Sequence, residues 1–155
     1  MRIRSTALVA LGVTALVAGC GGGGGGGERL TKEQYIAQAD AICKAADGKI
    51  QELGEPESLD DLAALAGQAV TIGKDELSRL QALQAPAADE ATLNKAYDLI
   101  GRQLDLAKQI AAAAKEGDQV KIQKLIDEGT PLQNEANQIA KSYGMKECGS
   151  GGSPA

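Results

Sequence analysis

The chain has 155 residues, a formal net charge of −5, 43 % hydrophobic residues and only 2 % aromatic ones. That length suits one ordinary domain rather than two. His, Trp and Phe are absent. The missing His removes the commonest general base and the commonest metal ligand, and the acidic balance argues against a nucleic-acid partner, which favours a basic face.

The N-terminus reads as an address. Arg2 and Arg4 form a short basic region, and Thr6 to Gly19 follow as fourteen residues without a charge. Fourteen apolar residues suit the core of a secretory signal and fall short of the roughly 20 that span a bilayer. Val17-Ala18-Gly19-Cys20 then matches, position by position, an aliphatic residue, two small residues and a Cys.

This segment resembles the lipobox of bacterial lipoprotein signal peptides. The resemblance implies cleavage after residue 19, transfer of a diacylglycerol to the Cys20 sulfur and further acylation of the new N-terminus. Two or three acyl chains anchor stably where one is marginal. The expected site is therefore the extracytoplasmic face of the cell membrane, with the bilayer as partner through acylated Cys20. Gly21 carries no inner-membrane retention signal, so the choice between membranes stays open in a cell with two.

Gly21 to Gly27 form an unbroken glycine run, read with Cys20 and Glu28 as a flexible linker over 20–28 reaching about 15 Å. It is not a phosphate loop, because no strand precedes it and no Lys-Ser/Thr follows. Loss of residues 1–19 leaves 14 basic against 21 acidic residues, a charge of −7. Such a domain stands off from an anionic lipid surface.

Residues 29–148 predict an all-α domain, an up-down-up-down four-helix bundle. The first helix opens at Thr31, whose Thr-Lys-Glu-Gln34 sequence is a capping box. Ile36, Ala39, Cys43, Ala46, Ile50 and Leu53 recur at spacings of 3 and 4, the seam of a bundle. Gly54 and Pro56 end it. A second helix runs from Ser58 to about Leu83, with Leu62, Leu65, Ala66, Ala69, Ile72, Leu77 and Leu80 mostly on one face. Gly67 and Gly73 cost it about 1 kcal/mol each relative to Ala and suit a close helix crossing.

A third helix runs from about Asp89 to Glu116 on a seam of Leu93, Ala96 or Tyr97, Ile100, Leu104, Ala107, Ile110 and Ala114. Gly117 stops it, and Asp118 caps the next. The fourth runs from about Gln119 to Tyr143 on Ile122, Leu125, Gly129, Leu132, Ala136, Ile139 and Tyr143. Gly129-Thr130-Pro131 interrupts it, yet the seam keeps its phase, which predicts one kinked helix. Residues 149–155 read as a disordered tail.

The core is thin, since many seam positions are Ala. Export places the remaining thiols, Cys43 and Cys148, in an oxidising compartment where they are expected to pair. A redox or metal role is the lesser alternative, since no Cys-x-x-Cys is present.

Chemistry is hard to find. A catalytic triad lacks its base, and no Glu-x-x-His di-iron motif exists. Asp60-Asp61, Asp75-Glu76, Asp89-Glu90 and Asp127-Glu128 read as caps and solvated faces, where helix N-termini favour acids. Tyr35, Tyr97, Tyr143 and Met145 read first as core filling and second as pocket lining or haem ligands.

The whole chain also resembles a loose class of small bacterial lipoproteins, with a lipobox, a Gly-rich tether, Tyr35 to Cys43 in a first helix, and Tyr143-Gly144 before Cys148 at the end. The resemblance supports anchor, disulfide and helical fold, and brings no catalytic residue and no cofactor. The expected function is a non-enzymatic helical binding or interaction domain of open specificity, its partner a protein or a small apolar ligand. The alternative is a carrier of haem or an apolar metabolite, held in the bundle near Gly67, Gly73 and Gly129. An enzyme has least support, and buried acids with raised pKa would revive it.

Overall fold

The computed structural model describes residues 29–150. The signal segment, the lipobox with Cys20, the glycine run and residues 151–155 of the tail lie outside the described residues. Four helices form: α1 (Lys32–Gln51), α2 (Leu59–Ala82), α3 (Glu90–Glu116) and α4 (Gln119–Tyr143), with a 3-10 turn at Ala87–Asp89 before α3. These segments are rich in Ala, Leu, Gln, Lys and Glu, the strong helix formers.

Each helix begins and ends for a local reason. The Thr31 hydroxyl accepts from the Gln34 N–H, while the Gln34 amide oxygen accepts from the Thr31 N–H at 2.9 Å. Ser58 and Asp118 cap α2 and α4 through the N–H groups of Asp61 and Lys121. Asp89 departs from the expected cap: its side chain makes no cap bond to α3 and accepts instead from the Tyr143 hydroxyl at 2.7 Å. Gly117 and Gly144 adopt φ of 73° and 108°, the left-handed region that glycine enters without a Cβ penalty. Around each, the next residue's N–H reaches back to Ala113 or Ala140 at 2.9 Å, which closes a Schellman cap.

Pro131 sits inside α4 without ending it. It removes one donor from the ladder, and the Thr130 hydroxyl donates to the Ile126 carbonyl one turn back. The reading of one helix across Gly129-Thr130-Pro131 holds.

Packing is uneven. α2 lies close to α3, and α3 close to α4, while α1 approaches only α2; among the described residues no Cα of α1 comes within 8 Å of one in α3 or α4. Large side chains and the C-terminal segment span that wider gap. The Tyr35 and Tyr143 rings meet edge to face at 5.8 Å. The Asp40 carboxylate accepts from the N–H groups of Lys146, Glu147 and Cys148 at 3.0 to 3.3 Å. These bonds draw residues 145–148 back along α1, where Cys148 is disulfide-bonded to Cys43 with their Cα atoms 5.1 Å apart. Gly149 and Ser150, read as the start of the tail, belong to this turn: Gly149 is buried and the Ser150 N–H donates to Glu147.

Two apolar clusters result. One gathers Tyr35, Ala39, Leu80, Leu93, Tyr143 and Met145 with Cys43. The other gathers Ala63, Ala113, Ala114 and Ile122 where α2 begins, α3 ends and α4 begins. α1 has 20 residues against 24 to 27 in the others, about 30 Å against roughly 36 to 40 Å, and it adds nothing to the second cluster. Tyr35, not the expected Ile36, is the large side chain wholly buried on α1, and Ile50 is 39 % exposed. From α1, Tyr35 reaches Tyr97 on α3 and Tyr143 on α4, so the buried stripe of α1 is wider than one seam.

Candidate functional site

Between the clusters the seam does not close. On α2, Leu62, Ala66, Ala69, Gly73, Glu76 and Leu80 recur at spacings of 4, 3, 4, 3 and 4, a heptad pattern that puts Gly73 and Glu76 on the inward register. α3 offers Ala96 and Ala107 beside Ile100 and Leu104, and α4 offers Ala136 and Ala140. Such small side chains do not fill the space between helix axes about 8–10 Å apart. What remains is a cavity of about 520 Å³, within the 300–1,000 Å³ of small-molecule sites. All four helices line it, together with Met145 and the disulfide.

At Gly73 the Leu104 side chain of α3 packs directly on the α2 backbone. A Cβ there would stand 2.5 Å from the Leu104 Cδ2, whereas one at Gly67 would meet nothing within 4 Å. The close crossing expected of both glycines therefore belongs to Gly73 alone. Neither Gly67 nor Gly129 lines the cavity, so the space expected around all three glycines is displaced towards the disulfide end.

The three tyrosines, all the aromatic residues of the chain, line the cavity. Tyr97 donates to the Leu80 carbonyl at 3.1 Å and accepts from Tyr35 in a short hydroxyl–hydroxyl bond. Tyr143 donates to Asp89, and the Lys32 ammonium stands 4.3 Å over its ring. Burial pushes the Tyr35 and Tyr143 hydroxyls well above the usual phenol range, with the hydrogen bonds adding to the rise. All three hydroxyls stay protonated and each has a partner. They pack as core, and none is free to ligate an iron without losing its bond.

The polar part of the wall is acidic. Asp47 and Glu76 line the cavity with the amides of Gln103, Gln133 and Asn137, and among the described residues no Lys or Arg does. Glu76 is partly buried; burial pushes its carboxyl up to about 7, and the charge of Asp47 adds to the rise. Asp47 is itself raised, by burial and then by Glu147. Its neighbour Asp75 points the other way, to exposed Lys49 and Arg79. The expected reading of Asp75-Glu76 as one solvated pair is corrected for Glu76. Two pairs stay outside: Asp60 and Asp61 lie in the first turn of α2, and Asp127 and Glu128 are exposed beside Gln123 and Lys124. The Asp89-Glu90 pair splits, Asp89 half-buried on Tyr143 and Glu90 exposed on Arg29.

Among the described residues no three of Cys, Asp and Glu gather closely enough to hold a metal ion, and no helix is long and apolar enough to cross a membrane. Comparison with protein-family models, curated proteins and solved structures returns no match.

Proposed function

We propose that this chain is a lipid-anchored, extracytoplasmic binding protein whose non-enzymatic helical domain holds a small, mainly apolar ligand between its helices. The cavity of about 520 Å³ carries this reading. It favours the carrier over an interaction domain without a pocket, and an apolar metabolite over haem, because every tyrosine hydroxyl already has a partner. The acids that would revive an enzyme are present, but among the described residues no free hydroxyl or thiol lines the cavity with them. An up-down-up-down bundle is the arrangement that fits best. Consecutive helices pack together, the connections are short, and the end of α4 reaches the start of α3 through Tyr143 and Asp89.

The anchor rests on Arg2, Arg4, the apolar run and the lipobox ending at Cys20. Two measurements test the two halves. Cys20→Ala should move the exported protein from the membrane to the soluble fraction, and continued membrane retention sinks the anchor. Equilibrium dialysis of the native protein in phosphatidylcholine nanodiscs, against empty nanodiscs, should retain a compact apolar probe such as 1-adamantanol. Leu in place of Ala107, inside the cavity, should abolish that retention.

A further inference from the structure

We infer that the cavity selects a cationic ligand, an apolar body bearing one amine or quaternary ammonium group, with Glu76 as its counter-ion and Asp47 as the second acid beside it. The inference rests on the reading of the cavity as a ligand site and adds the ligand's charge. Three observations carry it. The wall is mostly aliphatic and aromatic, which takes an apolar body. Among the described residues, its only acidic or basic side chains are two carboxyls, Glu76 from α2 and Asp47 from α1. The inward register of α2 aims Glu76 at the interior, so the acid is not there for solubility. A carboxylate held against an apolar wall attracts an opposite charge far more strongly than one in water, and tyrosine rings in the same wall favour cations.

The groups around Glu76 leave this role open. Asp47 of α1 is the charge that acts on it, and the other polar groups of the same wall are Tyr97 and Gln103 from α3, Gln133, Asn137 and Tyr143 from α4, and Tyr35 from α1. Lys44 and Glu147 lie beyond Asp47 in an adjoining outer cleft. Lys74, the cation nearest Glu76 in sequence, is exposed and acts on Asp105, while Lys49 and Arg79 engage Asp75 at the exposed surface. An incoming ammonium replaces the missing positive partner. An anion of the same shape meets two acids and no base.

The test compares three ligands of one skeleton, 1-adamantanamine, 1-adamantanol and adamantane-1-carboxylate. Each is dialysed at pH 8 against the native protein in phosphatidylcholine nanodiscs, with empty nanodiscs subtracted. The amine should bind about tenfold or more tightly than the alcohol, and the carboxylate weakest. That preference should shrink about tenfold between pH 8 and pH 5.5 as Glu76 takes a proton, and should vanish in Glu76→Gln. Circular dichroism and thermal unfolding show whether that variant is folded; should it fail to fold, the pH profile of the native protein decides. Equal or tighter binding of the alcohol or carboxylate overturns the inference and leaves the cavity reading standing. A preference surviving both Glu76→Gln and Asp47→Asn, or independent of pH, also overturns it. Binding of none of the three overturns the cavity reading and this inference with it.

Discussion

At the scale of single residues, Glu76 is the position where function and stability pull apart. Its carboxyl titrates near pH 7 in the folded domain, against about 4.3 in an unfolded chain. Between those values the folded state holds a proton that the unfolded state has released, so stability falls as pH rises through that window and levels off above it. The loss is on the order of 2 to 3 kcal/mol if the carboxyl stays partly buried throughout. Glu76→Gln removes the charge while keeping the shape. Urea unfolding at pH 5 and pH 8 should show the native protein losing stability across this interval and the variant losing much less. A native protein equally stable at both values contradicts the buried placement of Glu76.

The tyrosine chain offers a second residue-scale prediction with a direction built in. Tyr97 serves both Tyr35 and the Leu80 carbonyl, whereas Tyr35 serves only Tyr97. Tyr97→Phe strands the Tyr35 hydroxyl, whose residue is 0 % exposed, at a cost of about 1–3 kcal/mol. Tyr35→Phe leaves Tyr97 bonded to Leu80 and should cost about 0.5–1.5 kcal/mol. The double variant should cost less than the sum of the two, because the stranded hydroxyl is gone. Equilibrium unfolding of the three proteins checks the order.

At the scale of elements, the helices were legible because their signals are local. Thr31 with Gln34, Ser58, Asp118, Gly117 and Gly144 each act within one turn, so the expected boundaries match the observed ones within three residues. The inward residues were legible in part: Leu93, Ala114, Ile122, Leu125, Ala136 and Tyr143 are buried as expected, but Ala63, Val70, Leu99, Ala113 and Ala140 are buried off the expected seams, and of the expected α2 face only Leu80 is buried. What did not show was which seam positions would be packed and which would face free volume, for that depends on the separation of four helix axes. Glu76 could have been found by counting the seam through Gly73 without discarding the charged residue. Grouping it with Asp75 hid it.

The two α2 glycines turn this into a measurement. Gly67 is exposed with no atom near its missing Cβ, so Gly67→Ala should stabilise by roughly 0.5–1 kcal/mol through helix propensity alone. At Gly73 the same gain is opposed by the Leu104 methyl, 2.5 Å from the new Cβ. Thermal unfolding should place Gly67→Ala above the parent and Gly73→Ala clearly below Gly67→Ala. Equal gains at both would show that α2 and α3 are not in close contact at Gly73.

At the scale of the whole molecule, the disulfide compensates for a core that Ala and Gly leave under-filled. α1 approaches α2 but has no close backbone neighbour in α3 or α4, so its hold on the far side depends on Tyr35, on Asp40 and on the bond to Cys148. Cys43 and Cys148 are 105 residues apart, and closing a loop of that size is worth about 4.7 kcal/mol in the chain-entropy model. Against a total of about 5–15 kcal/mol for a typical domain, that is a large share. Reduction should therefore lower the urea midpoint by an amount equivalent to about 3–5 kcal/mol. The loss should not be spread evenly. α3 packs against both α2 and α4, and amides at its centre should keep much of their protection in the reduced protein. Those of residues 146–148, whose N–H groups bond to the Asp40 carboxylate, should exchange first. Asp40→Ala should then matter far more in the reduced protein than in the oxidised one, because bond and carboxylate fasten the same segment to the same helix. Hydrogen exchange on the four proteins, native and Asp40→Ala, oxidised and reduced, measures that coupling. If the two losses simply add, α1 is held to the rest by contacts other than these.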